Sequence, residues 1–236
     1  MAIRRLVQTA VLLPLVLALA CSDKPESLPT STVAVPEDVS VLVIGDSILD
    51  WHKWNEAAVS DVLEEELGRS VHDASVSGAL FSSLNPDIRA QYVERDWDWL
   101  ILNGGGNDLD ACGCNSCEST LEALISEDGS KGLFPKFLDD EVNENVRVII
   151  LGYYSFAEGS FDHCNELVGE LSKRQELLAE LRSNVWFLNG VPLTDVEDPG
   201  DYDSDGTHPS AATSRRMGEA LGDLILSVES ETGSAP

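Results

Sequence analysis

A serine at 47, an aspartate at 205 and a histidine at 208 are the side chains whose types and surroundings could carry nucleophilic chemistry. Ser47 ends a run of four branched apolar residues, Val41-Leu42-Val43-Ile44, that passes through Gly45 and Asp46. Such a run reads as a strand buried on both faces, and the rim beyond its carboxyl end is where open α/β sheets bind ligands. Ser47 then has two readings, the cap of a following helix or a nucleophile. In Asp205-Gly206-Thr207-His208-Pro209 the acid and the imidazole are three residues apart. On one tight turn the carboxylate reaches Nδ1, holding the tautomer whose other nitrogen accepts a serine proton. The alternative is a surface loop with an unrelated histidine.

The elements that must position these groups follow from hydrophobic periodicity. Strands are expected at 41–44, 71–77, 97–102, 146–152 and 185–188, and helices at 54–67, 134–142 and 164–181. A further helix is expected from Asn85 and Pro86, with Ile88 and Tyr92 on its buried face, and a last one from Pro209 and Ser210 to near Ser227. Leu167, Leu171, Leu177, Leu178 and Leu181 form the expected buried stripe of the 164–181 helix. Alternating strands and helices imply a parallel sheet covered on both faces. Its carboxyl rim would gather Ser47, Gly78, Asn107 in the triple-glycine loop 103–108, and the 205–208 turn.

The whole chain has 236 residues, 43% of them hydrophobic, which suits one domain with a core. With 42 acidic against 15 basic side chains the net charge is -27, a surface that repels nucleic acid and excludes it as a partner. Arg4 and Arg5 precede an apolar stretch too short to span a membrane and interrupted by Pro14, the pattern of a signal peptide over 1–20. Leu17-Ala18-Leu19-Ala20-Cys21 resembles the lipobox of bacterial lipoproteins, which implies lipid on Cys21, an anchored envelope protein, and residues 21–38 as a tether; cleavage after Ala20 and secretion is the alternative. The domain is then 39–229, with 230–236 a flexible tail.

Four ordered blocks carry a family resemblance: Gly45-Asp46-Ser47, Gly78 after Ser75-Val76-Ser77, Gly105-Gly106-Asn107-Asp108, and Asp205-Gly206-Thr207-His208. Together they resemble the SGNH (GDSL-type) hydrolases. The resemblance implies an α/β fold, a three-layer α/β/α sandwich with a five-stranded parallel sheet in the flavodoxin-like order 2-1-3-4-5. It implies Ser47 as nucleophile, His208 as general base and acid, and Asp205 as its partner. The Ser47 N–H, the Gly78 N–H and the Asn107 amide would form the oxyanion hole, and no metal or cofactor would be needed. Ile48 replaces the leucine of the motif, a packing change, and Asp73 stands where asparagine is frequent, with a structural role expected.

These features point to a monomeric serine esterase acting on a small-molecule, glycan or lipid ester through an acyl-serine. An O-acyltransferase and an inactive surface-binding lipoprotein are the alternatives. Cys112, Cys114, Cys117 and Cys164 remain after Cys21; beside His163 they could hold zinc, but an exported chain favours two disulfides, with three possible pairings. The acidic run 201–205 imitates the start of a calcium loop but has Ala212 at its twelfth position. Trp51, Trp54, Phe81, Tyr153, Tyr154 and Phe156 fall near strand ends, as packing residues with one or two lining the acyl pocket.

Overall fold

The computed structural model describes residues 36, 38–82 and 86–233. The expected signal peptide, Cys21, nearly all of the tether, and Asn85 lie outside the described residues. One parallel sheet runs in the order β2-β1-β3-β4-β5, with strands β1 Val41–Ile44, β2 Val71–Asp73, β3 Trp99–Leu102, β4 Arg147–Leu151 and β5 Val185–Leu188. Every residue of β1 and β3 is buried, as central strands covered on both faces require. Register carries Val41 opposite Val71 on one side and opposite Trp99 on the other.

Among the described residues there are seven α-helices, α1 Ser47–Asp50, α2 Val59–Leu67, α3 Gly106–Ala111, α4 Glu118–Leu124, α5 Leu133–Asp140, α6 Asn165–Glu180 and α7 Ala211–Thr232. Helices α2 and α7 pack on each other, while α3 touches α4 and α6, and α4 touches α5. Buried Glu229 near the end of α7 accepts hydrogen bonds from Arg69 at 2.6 Å and from the Trp99 indole at 2.9 Å. That anchorage, with Val228 also buried, explains why α7 runs past Ser227 to Thr232 and includes the first residues of the expected tail.

Several expected elements are shorter. The ladder of β2 stops at Asp73, although the Ala74 and Val76 N–H groups still donate to Val43 and Gly45 oxygens at 2.9 and 3.1 Å. The helix expected from 85 is a single 3₁₀ turn, Arg89–Gln91. Asp87, just before it, is taken up in an isolated bridge to Leu80, and Ile88 is buried as expected while Tyr92 is half-buried. The first part of the 54–67 helix is also separate, a 3₁₀ turn at Lys53–Asn55. Ser210 caps α7, its hydroxyl accepting from Thr213 N–H, so Pro209 precedes the helix instead of opening it. On α6, Leu171 and Leu178 are buried, but Leu177 and Leu181 face solvent and Gln175 takes a core position.

Two helices, α3 and α4, had no counterpart in the sequence reading. The cysteines there form two disulfides, Cys112–Cys117 and Cys114–Cys164. The second ties the α3–α4 connection to the start of α6. His163 lies beside Cys114 and Cys164, but both sulfurs are in the disulfide and offer no thiolate to a metal.

Candidate active site

The carboxyl ends of β1 and β3 set the site. Leaving β1, the chain turns at Gly45, whose N–H and C=O are both held by the Gln91 side-chain amide at 2.7 and 2.9 Å. Asp46 then caps α1: its Oδ1 accepts from the Ile48 N–H at 3.0 Å. The cap belongs to Asp46, so Ser47, the first residue of the helix, keeps its hydroxyl for other work. Among the described residues neither the Ser47 N–H nor the Gly78 N–H has an internal acceptor.

Gly78 has φ +75°, a left-handed conformation that glycine adopts without a Cβ penalty. Asp50, at the end of α1, holds its neighbour Ser77 through the backbone N–H at 2.9 Å and the hydroxyl at 2.5 Å. Asn107 is the second residue of α3, with one amide N–H donated to the Ala79 carbonyl at 3.0 Å. A second proton remains on that nitrogen. Asp108 accepts from the Phe81 and Ser82 N–H groups, each at 2.8 Å, and so fastens α3 to the chain that follows Gly78.

His208 and Asp205 sit on the turn before α7. Their Nδ1–Oδ2 separation is 2.6 Å, and Asp205 Oδ1 also accepts the Thr207 and His208 N–H groups at 2.9 Å. The pairing selects the tautomer protonated at Nδ1 and leaves Nε2 as a proton acceptor. Partial burial pushes the Asp205 carboxyl up, but the hydrogen bonds from His208 and Thr207 outweigh it and hold the group below its ordinary range. The turn is pinned from two sides, by Tyr154 donating to the Thr207 oxygen at 2.7 Å and by the His52 Nε2–Pro209 oxygen contact at 3.0 Å.

All five expected residues, Ser47, Gly78, Asn107, Asp205 and His208, line one cavity of about 330 Å³. Ser47 and His208 face this cavity without a direct hydrogen bond between them; such contacts in ligand-free sites commonly form only with substrate. Ile48, Trp51, Tyr153, Phe156 and Phe161 supply its apolar wall. Of the aromatics singled out, Phe81 instead stacks on Phe134 at 3.8 Å in the core, Tyr154 is buried, and Trp54 is 82% exposed. Ile48 is buried, as a packing residue should be. Asp73 accepts from Ser60, from Ser75 and from Lys53, the last at 2.8 Å. The acids of the 201–205 run are engaged elsewhere, Asp201 with Arg216 at 2.5 Å and Asp203 with Trp51 at 2.8 Å.

Asp46, next to Ser47 in the chain, is a buried acid as well as the cap of α1. Burial pushes Asp46 up to about 6, against hydrogen bonds from Tyr153 and Ile48 that pull it down. Burial, with the adjacent Asp46 charge, pushes the Tyr153 phenol well above its ordinary value, so it stays a hydrogen-bond donor. Tyr153 lines the cavity, as one or two of the aromatics near strand ends were expected to, whereas Phe161 was missed, because packing between distant elements brings it here and no local motif marks it.

Sequence comparison supplies the class of protein that carries this arrangement on a five-stranded parallel sheet. The chain belongs to the GDSL-like lipase/acylhydrolase family, whose model matches residues 43–216. Among solved structures it is similar to Est24, a carbohydrate acetylesterase from Sinorhizobium meliloti, with 19% identity over 81% of this chain and 100% of that one, TM-score 0.54. An extracellular lipase from Streptomyces rimosus superposes with TM-score 0.58, 14% identity, and 78% and 98% coverage. The inhibitor-bound aryl esterase of M. smegmatis gives TM-score 0.52, 18% identity, and 79% and 98% coverage. At these identities the likeness is one of fold. A search of curated proteins gives no significant match.

Proposed function

We propose that this hydrolase cleaves carboxylic esters through an acyl-serine intermediate on Ser47. The observation that carries the reading is the Asp205–His208 pair, 2.6 Å apart, opening onto the cavity that Ser47, Gly78 and Asn107 share. Ser47 Oγ attacks the ester carbonyl as His208 Nε2 takes its proton, and Asp205 stabilises the imidazolium. The negative charge on the carbonyl oxygen is met by the Ser47 and Gly78 N–H groups and the free Asn107 N–H. His208 returns the proton to the leaving alcohol, then activates a water that releases the acid and regenerates Ser47.

A cavity of about 330 Å³ with apolar walls is at the small end for ligand sites, which favours a short neutral acyl group with the alcohol outside. The acetylesterase and aryl esterase among the fold relatives are compatible with that choice. Lipid on Cys21 would hold the enzyme at a bacterial envelope; no helix among the described residues is long and apolar enough to cross a membrane.

A short-chain chromogenic ester tests the reading with wild type, Ser47→Ala and His208→Ala. Turnover by wild type that falls about 10³-fold or more in each variant supports it. Absence of turnover in wild type overturns it, and a rate that climbs steeply with an added alcohol points to acyl transfer instead.

A further inference from the structure

We propose that Tyr153 is a positioning residue that fixes the Ser47 turn relative to the Asn107 turn. The inference rests on the ester-hydrolase reading of those two residues and adds to it the brace that holds them in register.

Tyr153 is the second residue beyond β4 and is buried. Its hydroxyl donates to Asp46 Oδ2 and accepts the Gly106 N–H at 2.8 Å. Since the sheet order is β1-β3-β4, this one side chain from the β4 end crosses the β3 turn to reach the β1 turn. Each linked group abuts a site residue. Asp46 and Ile48 flank Ser47 and are joined by the 3.0 Å cap bond, and Gly106 immediately precedes Asn107.

The contact is built for closeness. A Cβ at position 106 would lie 2.8–2.9 Å from the Tyr153 ring and hydroxyl, so only glycine admits the phenol there. A phenol is also a rigid arm with both a donor and an acceptor at its tip. Removing the oxygen leaves a backbone N–H and a carboxylate oxygen without partners in a buried place, while the ring still fills its space. The turns are then free to drift, and a shift well under an ångström moves the oxyanion donors off the developing charge.

The test is a double-mutant cycle with a short neutral ester: wild type, Tyr153→Phe, Asn107→Ala and the pair, with kcat, KM and thermal melting for each. Tyr153→Phe is expected to lower kcat about tenfold with KM within about twofold, in a protein that still melts cooperatively. In the Asn107→Ala background the same change should cost less than about threefold, because the amide that the brace aims is gone. Asp46→Asn, which at nearly constant volume leaves one acceptor oxygen where the Ile48 N–H and the Tyr153 hydroxyl had one each, weakens the brace, should show the same coupling and serves where Tyr153→Phe does not fold. An unchanged kcat, or an equal loss in both backgrounds, overturns the proposal while leaving an active wild type to support the parent reading. A wild type without turnover overturns both.

Discussion

The indole of Trp51 lies flat on the imidazole of His208, with ring centroids 3.6 Å apart and planes 5° from parallel. Its Nε1–H is donated to Asp203 Oδ2 at 2.8 Å, so the aromatic plate is itself held in place. One face of the imidazole is thereby covered and its rotation restricted. In the proposed mechanism His208 takes the Ser47 proton, and the new charge would then sit over the electron-rich indole face, an attraction of about 0.5–2 kcal/mol.

Trp51→Ala should therefore lower kcat/KM by about tenfold, and Trp51→Phe should recover most of it because a ring remains. Steady-state kinetics on a short neutral ester reads this directly. Equal losses in the two variants would show that stacking is not the cause.

Much of this site was readable before any coordinates. β1 at Val41–Ile44 matches its apolar run residue for residue, because a strand buried on both faces shows an unbroken pattern, and β5 at Val185–Leu188 matches too, although only Val185 of this edge strand is buried. That Ser47, Gly78, Asn107, Asp205 and His208 would meet at one rim was legible because turns with Gly, Asp and Ser leave local signatures. Helices α3 and α4 were not: three glycines and a cysteine-rich stretch suggest a loop, whereas disulfides and the Asp108 contacts hold short helices there. The Trp51–His208 stack and the Tyr153 brace join residues 157 and 107 positions apart, counting from 51 to 208 and from 46 to 153, and no periodicity encodes such a meeting.

Asp46 links stability to pH. Its folded value of about 6 lies above that of an unfolded carboxyl, so between about pH 4 and 6 the folded state binds more protons. The contribution to stability is then present at low pH and lost as pH rises through about 6. Asp46→Asn lacks it, and the stability of wild type relative to the variant should rise by about 1 kcal/mol on going from pH 7.5 to pH 5. Urea titrations at the two pH values check this; a gap of constant size contradicts the buried-acid account.

The two disulfides should differ in weight. Cys114–Cys164 closes a separation of 50 residues and Cys112–Cys117 one of 5. Loop-closure entropy gives about 4 kcal/mol for the first and about 2 for the second. Serine pairs at each bridge, compared by urea denaturation, should rank in that order, and a reversed order would be at odds with the pairing.

Charge should select among substrates. With a net charge of -27 and Asp203 and Asp205 beside the cavity, an ester carrying a carboxylate meets repulsion on approach. Its kcat/KM should rise with added sodium chloride, by a few-fold between about 10 and 150 mM, while a neutral ester of the same size changes little. Parallel salt responses for the two esters would remove electrostatics as the cause.

The central claim is that Ser47 is the nucleophile, and a fluorophosphonate that reacts with activated serines tests it without knowledge of the natural ester. Peptide mass spectrometry after labelling should find a single phosphonyl group, on Ser47, with labelling abolished in His208→Ala. A label on another residue, or an unlabelled Ser47 in folded wild-type protein, would contradict the account.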